Sequence, residues 1–231
     1  MLEKGYGASI IGKAHIKLKK PNQDSYLIAN EDEYTLAVVC DGLGSKKYSQ
    51  IGSKKLCKVI KKQINKCFQK KNLELDKLIP LLQRKWKRVI WPIKPIKADT
   101  TCIFTVISEK NIIMCQVGDG LCAMKKGDQL TVLSPKNDDF SNETMTFSKS
   151  KLYNWNISII KKEEGFEYKL ILCTDGISED LKIEVLGEFI DELASSISVG
   201  SKTTNNQFLV EIINNWPNKY SNDDKTMVVI K

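Results

Sequence analysis

A run of apolar residues ends in Asp-Gly at Ala37-Val38-Val39-Cys40-Asp41-Gly42, and the same pattern recurs twice further along the chain. The second example is Cys115-Gln116-Val117-Gly118-Asp119-Gly120 and the third is Leu172-Cys173-Thr174-Asp175-Gly176. A short apolar run that is bounded by a turn signal is typical of a buried strand. Each run therefore predicts a core strand, with its aspartate placed where the strand leaves the core.

Two further acidic clusters flank these runs, at Pro21-Asn22-Gln23-Asp24-Ser25 and at Asn222-Asp223-Asp224-Lys225-Thr226. If the strand ends converge, five or six carboxylates meet in one place, where they must be protonated or hold cations. Oxygen-only ligands select hard cations, so the expected metal is magnesium or manganese. A single Asp-Gly is more simply a turn, but the order of all five segments favours a shared site.

Composition limits the class of protein. The length of 231 residues suits one domain with a large core, and we expect a single unit over 1–231. No apolar stretch is long enough for a membrane span and no secretory signal is evident, which predicts a cytoplasmic protein. The seven cysteines include no Cys-x-x-Cys pair, which argues against a disulfide framework, and one histidine is too few for a usual zinc site.

The net charge of +8 is concentrated between Lys46 and Lys97, on helices predicted at 49–69 and 73–89. The simplest interpretation is the solvated face of two amphipathic helices. Nucleic-acid binding is not expected, because no aromatic-rich strand or DNA-binding motif accompanies the charge. A third interpretation is that the positive field attracts anionic substrates such as phosphorylated proteins.

The order of predicted elements indicates a layered α+β protein rather than alternating βαβ units. Two more helices are expected at 183–195 and 205–216, and a polar loop at 136–151. Strands are expected at 7–11, 25–29, 34–40, 101–107, 112–117, 121–126, 129–133, 157–162, 169–173 and 226–230.

Six short motifs, each weak alone, resemble together and in order the motif series of protein phosphatase 2C, the metal-dependent Ser/Thr protein phosphatases. The resemblance covers residues 7–230 and is closest to the bacterial branch. It implies a four-layer α-β-β-α sandwich of two antiparallel sheets flanked by helix pairs, with metals at one end. The motifs are Asn22-Gln23-Asp24, Asp41-Gly42-Leu43-Gly44, Asp99-Thr100-Thr101, Val117-Gly118-Asp119-Gly120, Thr174-Asp175-Gly176-Ile177 and Asp223-Asp224-Lys225-Thr226.

The resemblance also implies roles for the acidic residues. Asp41 corresponds to the carboxylate that bridges two metals, with the Gly42 carbonyl as a backbone ligand beside it. Asp175 and Asp223 correspond to the other direct ligands, and Asp24 to the acid that binds the second metal directly or through water. The implied reaction is hydrolysis of a phosphomonoester by a water or hydroxide that two Mn²⁺ or Mg²⁺ ions share.

A third, weaker metal site is implied at Asp119 and Glu179, where Glu179 replaces an aspartate that is often used. Gln23 stands where many members have glutamate, Leu43 where many eukaryotic members have histidine, and Asp99 where glycine is usual. These departures leave the core carboxylates intact, so we expect an active enzyme.

Two basic side chains are candidates for contact with the phosphate. Lys19 stands where the family usually has an arginine, and it supplies charge without a bidentate fork. His15 is the only histidine, and it is either a packed or surface residue or a phosphate ligand and proton donor.

The expected partners are proteins phosphorylated on Ser or Thr and a cognate Ser/Thr kinase, for a monomer that binds neither nucleic acid nor membrane. The alternative function is a catalytically weak or inactive regulatory module that binds phosphoproteins, which the changes at Lys19, Gln23 and Glu179 favour.

Overall fold

The computed structural model describes residues 3–133, 144–163, 165–197, 201–217 and 220–231. The strands are β1 Gly5–Ile10, β2 Ser25–Glu31, β3 Tyr34–Cys40, β4 Cys102–Ser108, β5 Asn111–Val117, β6 Leu121–Lys126, β7 Gln129–Leu133, β8 Asn156–Lys161, β9 Lys169–Cys173 and β10 Lys225–Ile230. The helices are α1 Lys13–Lys17, α2 Ser49–Gln69, α3 Leu75–Ile90, α4 Asp175–Ser178, α5 Ile183–Ser196 and α6 Lys202–Asn214.

The strands form two five-stranded sheets in which all neighbours are antiparallel. One sheet has the order β1-β10-β9-β6-β7 and the other has the order β2-β3-β4-β5-β8. Strand β3 is buried at every residue, because it lies between β2 and β4 and is covered on both faces. This position explains why its sequence is a continuous apolar run rather than an alternating one.

Three hydrophobic clusters pack together four layers, which are the two sheets and a helix pair outside each sheet. The central cluster joins the facing sides of the two sheets and includes Val39, Ile103 and Leu172. A second packs α2 and α3 on the outer face of the β2–β3–β4–β5–β8 sheet, and a third packs α5 and α6 on the other sheet. The α-β-β-α sandwich expected from the resemblance is therefore confirmed, because each sheet buries one face on the other sheet and one face on a helix pair.

The long helices and all ten strands lie within a few residues of the predicted bounds. Two short helices were not predicted, α1 and α4, and the second of these begins at Asp175, where only a turn was expected. The predicted loop at 136–151 falls partly outside the described residues, and its described part forms turns and extended chain. None of the described helices combines the length and the apolar character that crossing a membrane requires.

Candidate metal centre

Three of the predicted aspartates come together at one end of the sandwich. Asp41 follows β3, Asp119 follows β5 and Asp175 follows β9. Strands β3 and β5 run in the same direction on either side of β4, so their last residues reach the same edge. One carboxylate oxygen from each aspartate lies within 4.8 Å of the other two. Such a group of oxygens is suited to a hard divalent cation.

Glycines allow the backbone turns on which these aspartates stand. Gly118, directly before Asp119, has a φ of +90°, and a Cβ there would lie 2.7 Å from the Thr101 side chain. At Gly42 a Cβ would lie 2.6 Å from the Gln23 carbonyl oxygen. Both positions therefore exclude a side chain, the first by its backbone conformation as well as by space.

Burial, and after it the neighbouring negative charges, raise the pKa of each of the three aspartates. Burial raises the pKa of Asp41 well above its usual range, and the neighbouring Asp24, Asp175 and Asp119 raise it further. Burial and Asp119 raise the pKa of Asp175 to about 6. The pKa of Asp119 is raised mainly by burial. A divalent cation would reverse these effects, because opposite charge favours the ionised form.

Two buried oxygens of this cluster have no hydrogen-bond partner. They are Oδ1 of Asp119 and Oδ1 of Asp175, whereas Oδ2 of Asp119 accepts a hydrogen bond of 2.9 Å from the Thr144 hydroxyl. Buried polar atoms are rarely left without a partner, because desolvation without compensation is costly. The described residues therefore fit a cation here, with oxygen donors left free for it.

Asp24 lies beside the cluster but is not one of the three residues whose oxygens share the 4.8 Å sphere. It is buried, and its Oδ2 accepts a hydrogen bond of 2.8 Å from the Thr174 hydroxyl. Its pKa is raised well above its usual range, first by burial and then by Asp224. Asp24 is close enough to the cluster to raise the pKa of Asp41.

A second group of possible ligands consists of His15, Asp223 and Asp224. Asp224 is satisfied by the protein: its Oδ1 accepts from the Gly12 amide at 2.7 Å, and its Oδ2 lies 2.6 Å from the Gln23 amide and 2.8 Å from His15 Nδ1. Asp223 is less enclosed, with 41% of its side chain exposed, and its Oδ1 lies 3.6 Å from His15 Nε2.

The contacts within this group show how His15 and Asp224 are held in the fold. His15 is buried and bonded to Asp224, so it is not a surface residue. An ionised carboxylate only accepts, so Nδ1 carries the proton and Nε2 is directed toward Asp223. The role of Asp224 as an anchor was not predicted, although it is part of a quoted motif.

The two remaining candidates, Lys19 and Glu179, have exposed side chains. Lys19 is exposed, has a φ of 53°, and forms no ion pair with any described carboxylate. Glu179 is also exposed, at the end of α4, and its pKa is raised by partial burial and by Asp119, Asp180 and Asp223. The structure thus places Glu179 near the other acids but outside the three-aspartate group.

Asp99 was noticed only as a departure from the family pattern, and its contacts explain what it does. It is buried and accepts hydrogen bonds from the amides of Thr100 and Ser148 at 3.0 Å, and also from the hydroxyls of Thr146 and Ser148. These contacts fix the segment that carries Thr144, whose hydroxyl reaches Asp119. Asp99 is therefore an anchor, and its oxygens are used by the protein.

An oxygen-only cluster of aspartates at strand ends, with buried oxygens left unpaired, is suited to the divalent cations that metal-dependent hydrolases use. The particular family follows from the sequence as a whole. The model of the protein phosphatase 2C family matches residues 11–214. The chain therefore belongs to the protein phosphatase 2C family, the metal-dependent Ser/Thr protein phosphatases.

Solved structures of bacterial phosphatases have the same fold. A bacterial serine phosphatase has a TM-score of 0.68 at 16% identity, covering 99% of this chain and 97% of that one. The catalytic domain of the Ser/Thr phosphatase PstP, solved with two manganese ions, has a TM-score of 0.67 at 14% identity and coverages of 100% and 98%. The phosphatase Stp1 from Staphylococcus aureus has a TM-score of 0.66 at 17% identity and coverages of 100% and 95%.

No curated protein is similar enough in sequence to count as a relative. At these low identities the solved structures establish the fold, while the family match establishes the class of enzyme.

Proposed function

We propose that this chain removes phosphate from phosphoserine and phosphothreonine of proteins, using two Mn²⁺ or Mg²⁺ ions at the aspartate cluster. The observation that carries this proposal is the three-aspartate cluster: Asp41, Asp119 and Asp175 each bring one carboxylate oxygen within 4.8 Å of the others, and Asp119 and Asp175 each keep a buried oxygen without a partner. PstP, which shares the fold, was solved with two manganese ions.

The residues that would hold the two cations are Asp41, the Gly42 carbonyl, Asp175 and Asp223, with Asp24 assisting directly or through water. When bound, the cations would supply positive charge that neutralises the phosphate and would lower the pKa of a water that attacks it. Asp119 and Glu179 would form a third, weaker site. Asp41 is half-buried, so water screens its charge less than it screens a fully exposed carboxylate.

The protein's own side chains position the phosphate and the departing group. The exposed Lys19 provides a positive charge for a phosphate oxygen. His15 is held through Nδ1 by Asp224, so its ring orientation is fixed. Its Nε2, which lies 3.6 Å from Asp223 Oδ1, would carry a proton to the departing seryl or threonyl oxygen.

We further propose that residues 1–231 act as one catalytic unit and as a monomer in the cytoplasm. Its substrates would be proteins phosphorylated by a cognate Ser/Thr kinase. The lysines of α2, including Lys54, Lys55 and Lys58, are exposed, which supports a solvated face rather than a nucleic-acid interface.

Hydrolysis of p-nitrophenyl phosphate and of a phosphothreonine peptide, with Mn²⁺ and with chelator, tests the proposal. We expect activity only with the metal and nearly none in Asp41→Asn. Asp128→Asn is the matched control, because Asp128 is exposed on the turn between β6 and β7, away from the cluster. Undiminished turnover in chelator would refute the proposal. Binding of phosphopeptide without any turnover would instead support the regulatory module, for which the exposed Lys19 and the amide at Gln23 are the grounds.

A further inference from the structure

The segment between β1 and β2 forms one side of the candidate site. The Gly12 amide and the His15 ring both bind Asp224, and the Ala14 amide donates to the Asn222 carbonyl oxygen at 3.1 Å. At the other end of the segment, Lys20 Nζ donates to the Gly44 carbonyl oxygen at 3.0 Å. The short helix α1 is therefore held between the Asp223 side of the site and the loop that follows Asp41.

The outward side of this segment combines apolar and basic residues. Ile16 is 58% exposed and Leu18 is 62% exposed, and the lysines at 13 and 17 beside them are also exposed. No ion pair among the described residues uses Lys13 or Lys17. We call the surface formed by Lys13, Ile16, Lys17 and Leu18 the basic-apolar lip.

Each residue type of the lip suits a polypeptide rather than a small phosphate ester. Two neighbouring large apolar side chains left in water lose free energy that burial against a partner would recover. Two lysines without an ion pair among the described residues attract negative charge on a partner. The acids near the segment, Asp223 and Asp224, already contact His15 and lie on the side of the metal centre.

We infer that the lip docks the substrate protein, binding acidic and apolar residues next to the phosphorylated serine or threonine. This inference rests on the proposed function, since it assigns a substrate class to the same site. The occupant is a segment with both features, because a purely acidic one would leave Ile16 and Leu18 exposed. Charge complementarity would act on the rate of encounter and apolar contact on the lifetime of the complex.

The test separates docking from chemistry by using two substrates. The variant Ile16→Ser/Lys17→Glu/Leu18→Ser changes the lip and leaves His15 and Lys19 in place. We expect the KM for a phosphothreonine peptide with flanking Asp and Leu to rise about tenfold, as the loss of an interface hot spot would cause. The kcat/KM for p-nitrophenyl phosphate should stay within about twofold, because that ester is too small to reach the lip.

A matched control lies at the far end of a strand. Ile159 on the edge strand β8 is 59% exposed, and Lys161 is exposed beside it. Lys161 pairs in register with Asn111, the first residue of β5, whereas Asp119 follows the last residue of β5. The variant Ile159→Ser/Lys161→Glu removes the same residue types and should leave both substrates unaffected. A phosphopeptide with flanking Gly and Lys should also be insensitive to the lip variant.

Each outcome is decisive. An unchanged KM for the acidic-apolar peptide in the lip variant would overturn the docking role, as would an equal loss on both substrates. Binding of anionic vesicles that the lip variant loses, with peptide kinetics unchanged, would assign the surface to a membrane and overturn the inference. If the wild-type protein hydrolyses neither substrate with Mn²⁺, the proposed function itself fails, and this result is distinct from the others.

Discussion

Two sets of aspartates lie at the same end of this sandwich, and they differ in what surrounds their oxygens. Asp224 and Asp99 each accept at least three hydrogen bonds from the protein. Asp119 and Asp175 each keep a buried oxygen without a partner. The residue type is the same in both sets, so the available donors decide whether an aspartate anchors the chain or remains free for a cation.

The largest expected effect is loss of activity on substitution within the three-aspartate group of Asp41, Asp119 and Asp175. Asp41→Asn and Asp175→Asn should each lower kcat with Mn²⁺ by about a thousandfold, because each removes a charge that would hold a cation. Both variants should remain folded, as circular dichroism would verify. If either kept more than a tenth of wild-type turnover, the division between the two sets would be wrong.

Substitution of an anchoring aspartate should lower the stability of the folded protein. Asp224→Ala should lower the free energy of unfolding by about 3 kcal/mol, because it leaves the buried amides of Gly12 and Gln23 and the His15 ring without their acceptor. Urea denaturation in chelator measures this directly. Asp128→Asn should differ from wild type by less than about 0.5 kcal/mol, and an equally small change in Asp224→Ala would contradict the anchoring role.

In the metal-free protein, the raised pKa of Asp175 should make the free energy of unfolding depend on pH. The folded-state pKa of Asp175 is about 6, above its ordinary 3.8. Its contribution to stability is therefore complete below about pH 3.8 and is lost as pH rises through about 6. In chelator, the free energy of unfolding of Asp175→Asn relative to that of wild type should rise by about 2 kcal/mol between pH 4 and pH 7. A constant difference across this range would contradict the prediction.

Bound Mn²⁺ should reduce the repulsion among the aspartates and so stabilise the folded protein. Mn²⁺ at 100 times its dissociation constant should stabilise the wild-type protein by about 2.7 kcal/mol, because it binds only the native state. The rise in melting temperature should shrink in Asp41→Asn, and without metal that variant should melt at or above wild type, since one repelling charge is gone. A wild-type transition that metal leaves unmoved would mean that the carboxylates do not form a cation site.

The smallest expected effect concerns the exposed Lys19. Lys19→Arg should lower the KM for a phosphopeptide about twofold to threefold, because a guanidinium binds phosphate oxygens in a bidentate manner. Lys19→Ala should raise it by a similar factor. If neither variant changes KM, Lys19 is a solvated lysine that does not contact the substrate phosphate.

The sequence predicted the strands well because each is a short apolar run bounded by a turn, as in β3 and β9. It missed α1 and α4 because helices of five and four residues show no full period of apolar spacing. Sequence position also predicted the aspartates at strand ends, but not which of them anchor the chain. The three groups that satisfy Asp224 are 201 to 212 positions away in sequence. Only the fold brings these partners together.

The pairing of β1 with β10 affects how the protein folds during synthesis as well as the stability of the finished fold. These strands exchange hydrogen bonds from Gly5 opposite Ile230 to Ile10 opposite Lys225, and Asp223 and Asp224 come directly before β10. On the ribosome, β1 therefore lacks its partner strand until residues 225–230 have been synthesised. Contacts of such long sequence separation slow folding, so the metal centre should be among the last parts of the molecule to assemble.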